Sequence, residues 1–141
     1  MTEPQTLHLT TVAIDGRAVL IEGPSGAGKT DLALRLIDRG AELVSDDYTV
    51  IARDGEALVA SPPPRIAGAI EVRGVGILPS AYRSSAPAVM LVSLCSDPDR
   101  LPEPRSRELL GVTLPELALD PFPASAPIKV ELALAHFGAP L

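Results

Sequence analysis

The segment Gly23-Pro24-Ser25-Gly26-Ala27-Gly28-Lys29-Thr30 limits what this chain can be more than any other stretch. It fits G-x-x-x-x-G-K-[ST] at every required position. The apolar run Ala18-Val19-Leu20-Ile21 precedes it, and Leu32, Ala33, Leu36 and Ile37 follow at helical spacing. A strand, a glycine turn and a helix in that order make a phosphate cradle. The glycines let backbone N–H groups turn inward, and the helix offers its positive end. The pattern therefore sets Gly23, Ser25, Gly26, Ala27 and Gly28 around phosphate oxygens, Lys29 against the β- and γ-phosphates, and the Thr30 hydroxyl on Mg²⁺.

The rest of the pattern is that of an α/β domain. Asp15-Gly16 separates Leu7–Ile14 from Ala18–Ile21, a strong signal for a type I′ hairpin, so the strand entering the loop is expected to be antiparallel to its predecessor. Lys29–Arg39 reads as a helix stopped by Gly40, and Ala41–Ser45 as a short strand ending on Asp46-Asp47. A second hairpin is expected from Tyr48–Arg53 and Ala57–Ala60 about Asp54-Gly55, before a loop at Pro62-Pro63-Pro64. Ala69–Val72 reads as a strand, Arg73–Gly76 as a glycine turn, and Ala88–Leu94 as a buried central strand. Ser96–Arg107, polar and proline-bearing, reads as a mobile loop. Pro115 makes Leu114–Leu119 an edge strand. Pro127–Phe137 reads as a last helix stopped by Gly138, with Ile128, Leu132 and Ala135 facing the core. No linker or repeat interrupts the pattern, so residues 1–141 are expected to form one domain.

Composition removes several classes of function. With 46% hydrophobic and 21% charged residues, the chain can bury a core and is not a disordered polymer. The longest apolar run, Ala88–Val92, is strand-sized, so no membrane span is expected. A net charge of −6 and 3% aromatic residues argue against a nucleic-acid partner, which would want a basic face or a stacking platform. One cysteine, Cys95, excludes an internal disulfide and a cysteine-rich zinc site; it reads as a buried thiol in a cytoplasmic protein.

Phosphoryl transfer needs more than a cradle. It also needs a carboxylate to hold the metal and a group facing the acceptor. Asp46 and Asp47, at the end of the strand after the loop's helix, are the candidates; one would hold metal-bound water while the other faces the acceptor. Glu71, beside Arg73 and the Gly74/Gly76 turn, reads equally well as a second metal ligand or a surface residue. His8 in the first strand reads as a packed or surface histidine on spacing alone.

Loop, double aspartate and Glu71-Val72-Arg73-Gly74-Val75-Gly76-Ile77, in this order and spacing, resemble the catalytic domain of the HPr kinase/phosphorylase family. His8 before the loop, Leu43-Val44-Ser45-Asp46-Asp47, Asp99-Arg100-Leu101 and Leu110–Pro115 extend the likeness over most of the chain, in a short form without the extra N-terminal domain. The resemblance implies a mixed sheet similar to the phosphoenolpyruvate carboxykinase-like nucleotide-binding fold. It implies ATP as donor, Mg²⁺ as cofactor and a serine of the HPr phosphocarrier protein as acceptor, with the reverse phosphorylase reaction also available. It implies Asp46 as the base, Thr30 and Asp47 as Mg²⁺ ligands, Glu71 at a second metal and His8 near the transferred phosphate. It further implies a homo-oligomer, a hexamer in the family. The chain departs from the family at Phe122–Pro127, where a Pro-Gly-Arg-Asn-type loop would carry an arginine, and at Pro24, where an acidic residue is common. Two alternatives stay open: a small-molecule kinase or NTPase, and a non-catalytic nucleotide-binding module. A guanine-specific GTPase is set aside, because no Asn-Lys-x-Asp motif is present.

Overall fold

A nine-stranded sheet, curled so that one face closes on itself, carries two helices on the other face of the protein. The computed structural model describes residues 3–138. The strands of the first half are β1 (Gln5–Leu7), β2 (Leu9–Ile14) and β3 (Arg17–Glu22), followed by helix α1 (Lys29–Asp38) and strand β4 (Glu42–Ser45). Next come β5 (Thr49–Asp54), β6 (Ala57–Ser61), β7 (Ala69–Val72) and β8 (Gly76–Pro79). The chain ends with β9 (Ala86–Leu94), β10 (Arg105–Leu109), β11 (Val112–Leu119) and helix α2 (Ala126–Phe137).

The strand order is β1-β5-β6-β9-β3-β2-β4, with β11 joining β9 and β10 joining β11, while β7 and β8 form a separate two-stranded ribbon. The hairpin before the glycine loop is as expected: β2 and β3 are antiparallel, and both turn residues have positive φ, Asp15 at 51° and Gly16 at 77°. β3 then runs parallel to β9, and β9 parallel to β11, so the sheet is mixed. Because β4 is antiparallel to β2, it points the same way as β3. The carboxyl ends of β3, β4, β9 and β11 therefore lie on one edge.

Alternation along β3 divides the core. Val19 and Ile21 face α1 and α2 with Val12, Leu32, Leu36, Val92 and Val130; Ala18 and Leu20 face the curl with Leu9, Ile51, Leu58, Leu91 and Leu114. A register shift opposite Ala18/Val19 leaves Val89 as an extra residue, which is why Val89 and Met90 both serve the helix side. Helix α1 ends as expected. Gly40 sits at φ 111°, Ala41 N–H reaches Leu36 O at 3.0 Å, and Gly40 N–H reaches Ile37 O at 3.0 Å.

Several expectations are corrected. The second hairpin turns on Gly55-Glu56 rather than Asp54-Gly55: Asp54 pairs with Ala57, and only Gly55 has positive φ. The Pro62-Pro63-Pro64 stretch leads into one 3-10 turn, Pro64–Ile66. Arg105–Arg107 is not loop but the start of β10, joined to β11 by a tight turn at Leu110 (φ 49°) and Gly111 (φ 80°). The strand of Leu114–Leu119 is not an edge along its whole length, since Glu116–Leu119 pairs with β9; Pro115 sits where only β10 flanks it. Ile128, Leu132 and Ala135 do not face the core. Ile128 is 41% and Leu132 56% exposed, and α2 instead buries Ala126, Pro127, Val130, Ala133 and Leu134. Gly138 does stop the helix as expected, capping it with its N–H on Leu134 O at φ −57°. Cys95 is only partly buried. Among the described residues no helix is long and apolar enough to cross a membrane.

Leu91, fully buried in the centre of the curl, should cost about 2–5 kcal/mol when cut to Ala, because the strands around it cannot collapse into the space. Urea unfolding of Leu91→Ala checks this, with Leu101→Ala, at a side chain 86% exposed, as the near-neutral comparison.

Candidate active site

Three segments leave the sheet at the shared carboxyl edge and meet there. They are residues 23–28 after β3, Asp46-Asp47 after β4, and Asp120–Pro123 after β11. Ligands of open α/β sheets gather at such an edge. The first segment turns at Pro24, whose carbonyl accepts from Ala27 N–H at 3.0 Å, and passes Gly26 (φ 82°) and Gly28 (φ 104°) into α1. At both glycines an L side chain would be strained. Lys29, only 5% exposed, folds back so that Nζ donates to Gly23 O at 2.7 Å and Pro24 O at 3.2 Å. A buried ammonium needs such acceptors. Here they are the carbonyls of the loop itself, so the cation is held at the loop's centre.

The two aspartates part company. Asp46 is buried, and both its oxygens are engaged. Oδ1 accepts from Thr30 Oγ1 at 2.7 Å and Thr10 Oγ1 at 3.3 Å, and Oδ2 accepts from Glu71 N–H at 3.0 Å. Asp47 bulges outward in the left-handed region (φ 67°). Its N–H donates to Thr10 Oγ1 at 3.0 Å, and its Oδ1 lies 2.8 Å from His8 Nε2. The His8 ring, between β1 and β2, leans on Tyr48 with centroids 5.2 Å apart. Thr10 thus serves both acids with one hydroxyl, donating to Asp46 and accepting from the backbone of Asp47.

A cleft of about 780 Å³ opens between the glycine loop, the first turn of α1 and the β7–β8 ribbon. Its lining includes Lys29, Thr30, Asp47, Glu71 and Arg73, together with the apolar Leu34, Val75, Ile77 and Phe122. Of the site residues expected from the sequence, Ser25, Gly26, Gly28, Lys29, Thr30, Asp47 and Glu71 line this cleft, Asp46 lies behind it bonded to Thr30, His8 and Gly23 line a smaller neighbouring pocket with His8 touching Asp47, and Ala27 lines neither. Glu71 is held by its backbone to Asp46, while its side chain is exposed. The donors on this wall are a hydroxyl and carboxylates, hard oxygen ligands that suit Mg²⁺. Among the described residues no group of three or more His, Cys, Asp or Glu forms a cage.

The arginines sort themselves by partner. Arg83 pairs with Glu42 at 3.2 Å. Arg107 holds Glu22, the residue just before Gly23, through two bonds of 3.0 Å, and reaches the nearly buried Glu116 at 2.8 Å; Arg105 stands 3.8 Å from Glu116. Hydrogen bonding to Glu22 raises the Arg107 guanidinium further above its ordinary value against the opposing effect of burial. Arg73 is the arginine that lines the cleft. Thr10 and Phe122 are parts of the site that motif reading passes over. Thr10 carries no motif, and only the β2–β4 pairing, which sets Thr11 opposite Ser45, could have revealed it.

Known proteins resemble this chain in sequence and in fold. The family profile described as HPr Serine kinase C-terminal domain matches residues 1–83. The HPr kinase/phosphorylase of Limosilactobacillus reuteri (strain DSM 20016) is 40% identical over 87 residues, 61% of this chain and 27% of that protein. That of Shouchella clausii (strain KSM-K16) is 37% identical over 110 residues, 75% of this chain and 36% of that protein. The matches thus span about a quarter to a third of the length of these curated relatives. The solved structure of the Hpr(Ser) kinase/phosphatase from Coxiella burnetii shares the fold with a TM-score of 0.81 at 28% identity, over 93% of this chain and 94% of that one. With more than half of its residues under the profile and a kinase structure matching its mixed sheet, this chain belongs to the HPr serine kinase family.

Proposed function

We propose that the chain is an ATP-dependent serine kinase acting on an HPr-type phosphocarrier protein. The observation that carries the reading is the 2.7 Å bond from Thr30 to Asp46, with the His8–Asp47 pair beside it. It joins the glycine loop to a carboxylate pair in one cleft, which a plain nucleotide-binding module would not require. The names of the relatives support HPr as the acceptor and a reverse phosphorylase reaction. Exposed Ile128 and Leu132 on α2 support assembly of several copies, which light scattering would detect.

In this reading the amides from Ser25 to Lys29 bind the phosphate chain, and Lys29 exchanges its loop carbonyls for β- and γ-phosphate oxygens. Thr30 and Asp47 would hold Mg²⁺, and the exposed carboxylate of Glu71 would hold a second metal ion; such ions supply charge neutralisation at the phosphates when bound. Asp46 receives the proton of the acceptor serine. A specific observation favours a second reading in which the two acids exchange roles. Thr30 already touches Asp46, whose oxygens are all engaged, whereas Asp47 is exposed and oriented by His8, as an acceptor-facing base would be.

Asp46→Asn and Asp47→Asn separate the two. The variant that removes the base should lose about 10²–10⁴-fold in phosphotransfer with nucleotide affinity kept. The other should demand more Mg²⁺ for the same rate. Phosphorylation of purified HPr with labelled ATP across a Mg²⁺ series is the measurement, and label on a serine is the expected product. Lys29→Ala should weaken nucleotide binding and turnover together, read by calorimetry beside the same assay; unchanged affinity would speak against the phosphate cradle.

A further inference from the structure

Phe122 stands 73% exposed in the wall of the cleft, an unusual setting for the side chain of a residue so firmly held. It lies between Pro121 and Pro123, which restrict the backbone on both sides. Its N–H donates to Asp120 Oδ1 at 3.1 Å. Arg35 of α1 donates to the carbonyls of Pro121 and, at 3.3 Å, Pro123, and is itself braced by Asp31 at 3.1 Å. Pro123 O also accepts from Ala126 N–H at 3.0 Å as α2 begins. The turn is therefore fixed, and it lies beside the loop: a methyl at Gly28 would stand 3.4 Å from Pro121 Cγ and 3.7 Å from Phe122 Cε1, ordinary contact distances. A rigid turn that keeps an aromatic face in water beside a phosphate cradle leaves apolar area waiting for a planar partner.

We infer that Phe122 is the stacking platform for the nucleobase of the phosphate donor, with Leu34 on the outer face of α1 as an apolar neighbour in the same cleft. The inference rests on the nucleotide reading above and goes beyond it. The loop takes the phosphates, and the ring of residue 122 takes the nucleoside end. Stacking on a π-face tolerates any base, so ATP and GTP should depend on Phe122 alike.

The chain contains no tryptophan, so F122W introduces a single tryptophan, excitable apart from Tyr48 and Tyr82, at the proposed contact. The probes are MgATP, MgGTP and magnesium tripolyphosphate, which has the phosphates without the nucleoside. Expected is quenching of F122W by both nucleotides and not by tripolyphosphate. F122A should bind MgATP and MgGTP about tenfold more weakly, which is about 1.4 kcal/mol, with tripolyphosphate affinity unchanged; F122W should restore the loss. The inference is overturned if F122A binds MgATP like the natural chain, or if it loses tripolyphosphate equally. A raised KM for a protein acceptor with unchanged nucleotide affinity would also overturn it, assigning Phe122 to acceptor docking. If the natural chain binds tripolyphosphate as tightly as MgATP, this inference alone fails. If it binds neither, the nucleotide reading fails with it.

Discussion

The hydroxyl of Thr10 and the carboxylate of Asp46 form the knot on which the site depends. Through them β2, β4, the first turn of α1 and the start of the β7–β8 ribbon are tied at one point. Each tie removes a buried polar group from the unsatisfied state, and a buried carboxylate with both oxygens engaged tolerates little displacement. The cost of burying Asp46 is offset by its three donors. The same bonds set where Asp47 must point, because its N–H is taken by Thr10 and its backbone is forced into the left-handed region. An exposed hydrogen-bonded pair such as His8–Asp47 contributes little to stability, so its value lies in orientation.

Local chemistry explains how much of this was legible beforehand. Asp15-Gly16 and the Gly40 stop were readable because each residue type answers a stated backbone demand, and both appear as expected. The glycine loop and the acids after β4 were readable for the same reason. The β10–β11 hairpin was not. Its turn puts Leu110 at positive φ, a residue type that carries no turn signal, and its first strand is polar at every position but the last, Leu109. The pairing that stabilises it, Arg107 with Glu22 and Glu116, crosses up to 85 positions of sequence. The face of α2 was misread because Ile128, Leu132 and Ala135 repeat at helical spacing just as a core stripe would. Periodicity says that a face is apolar, not which face the sheet will meet.

At the site the limit was of the same kind. Spacing delivered the residue types but not their partners. Which aspartate meets Thr30 depends on the bulge in β4 opposite Thr11 and Val12, a register shift that no motif encodes. Phe122 was visible only as a departure from a family loop. Its meaning comes from Arg35, a helix residue whose partner carbonyls lie 86 and 88 positions away.

The place of β9 in the sheet bears on how such a chain comes off the ribosome. β3 lies along one flank of β9, and β6 and β11 share the other, so the strand made from residues 86–94 is the keystone between segments synthesised long before and just after it. Until that strand emerges, the hairpin that carries the glycine loop has an open edge and half a core. The loop and both acids are thus translated early but assembled late, and a nascent chain halted ahead of β9 would present unpaired strands to chaperones or to its neighbours.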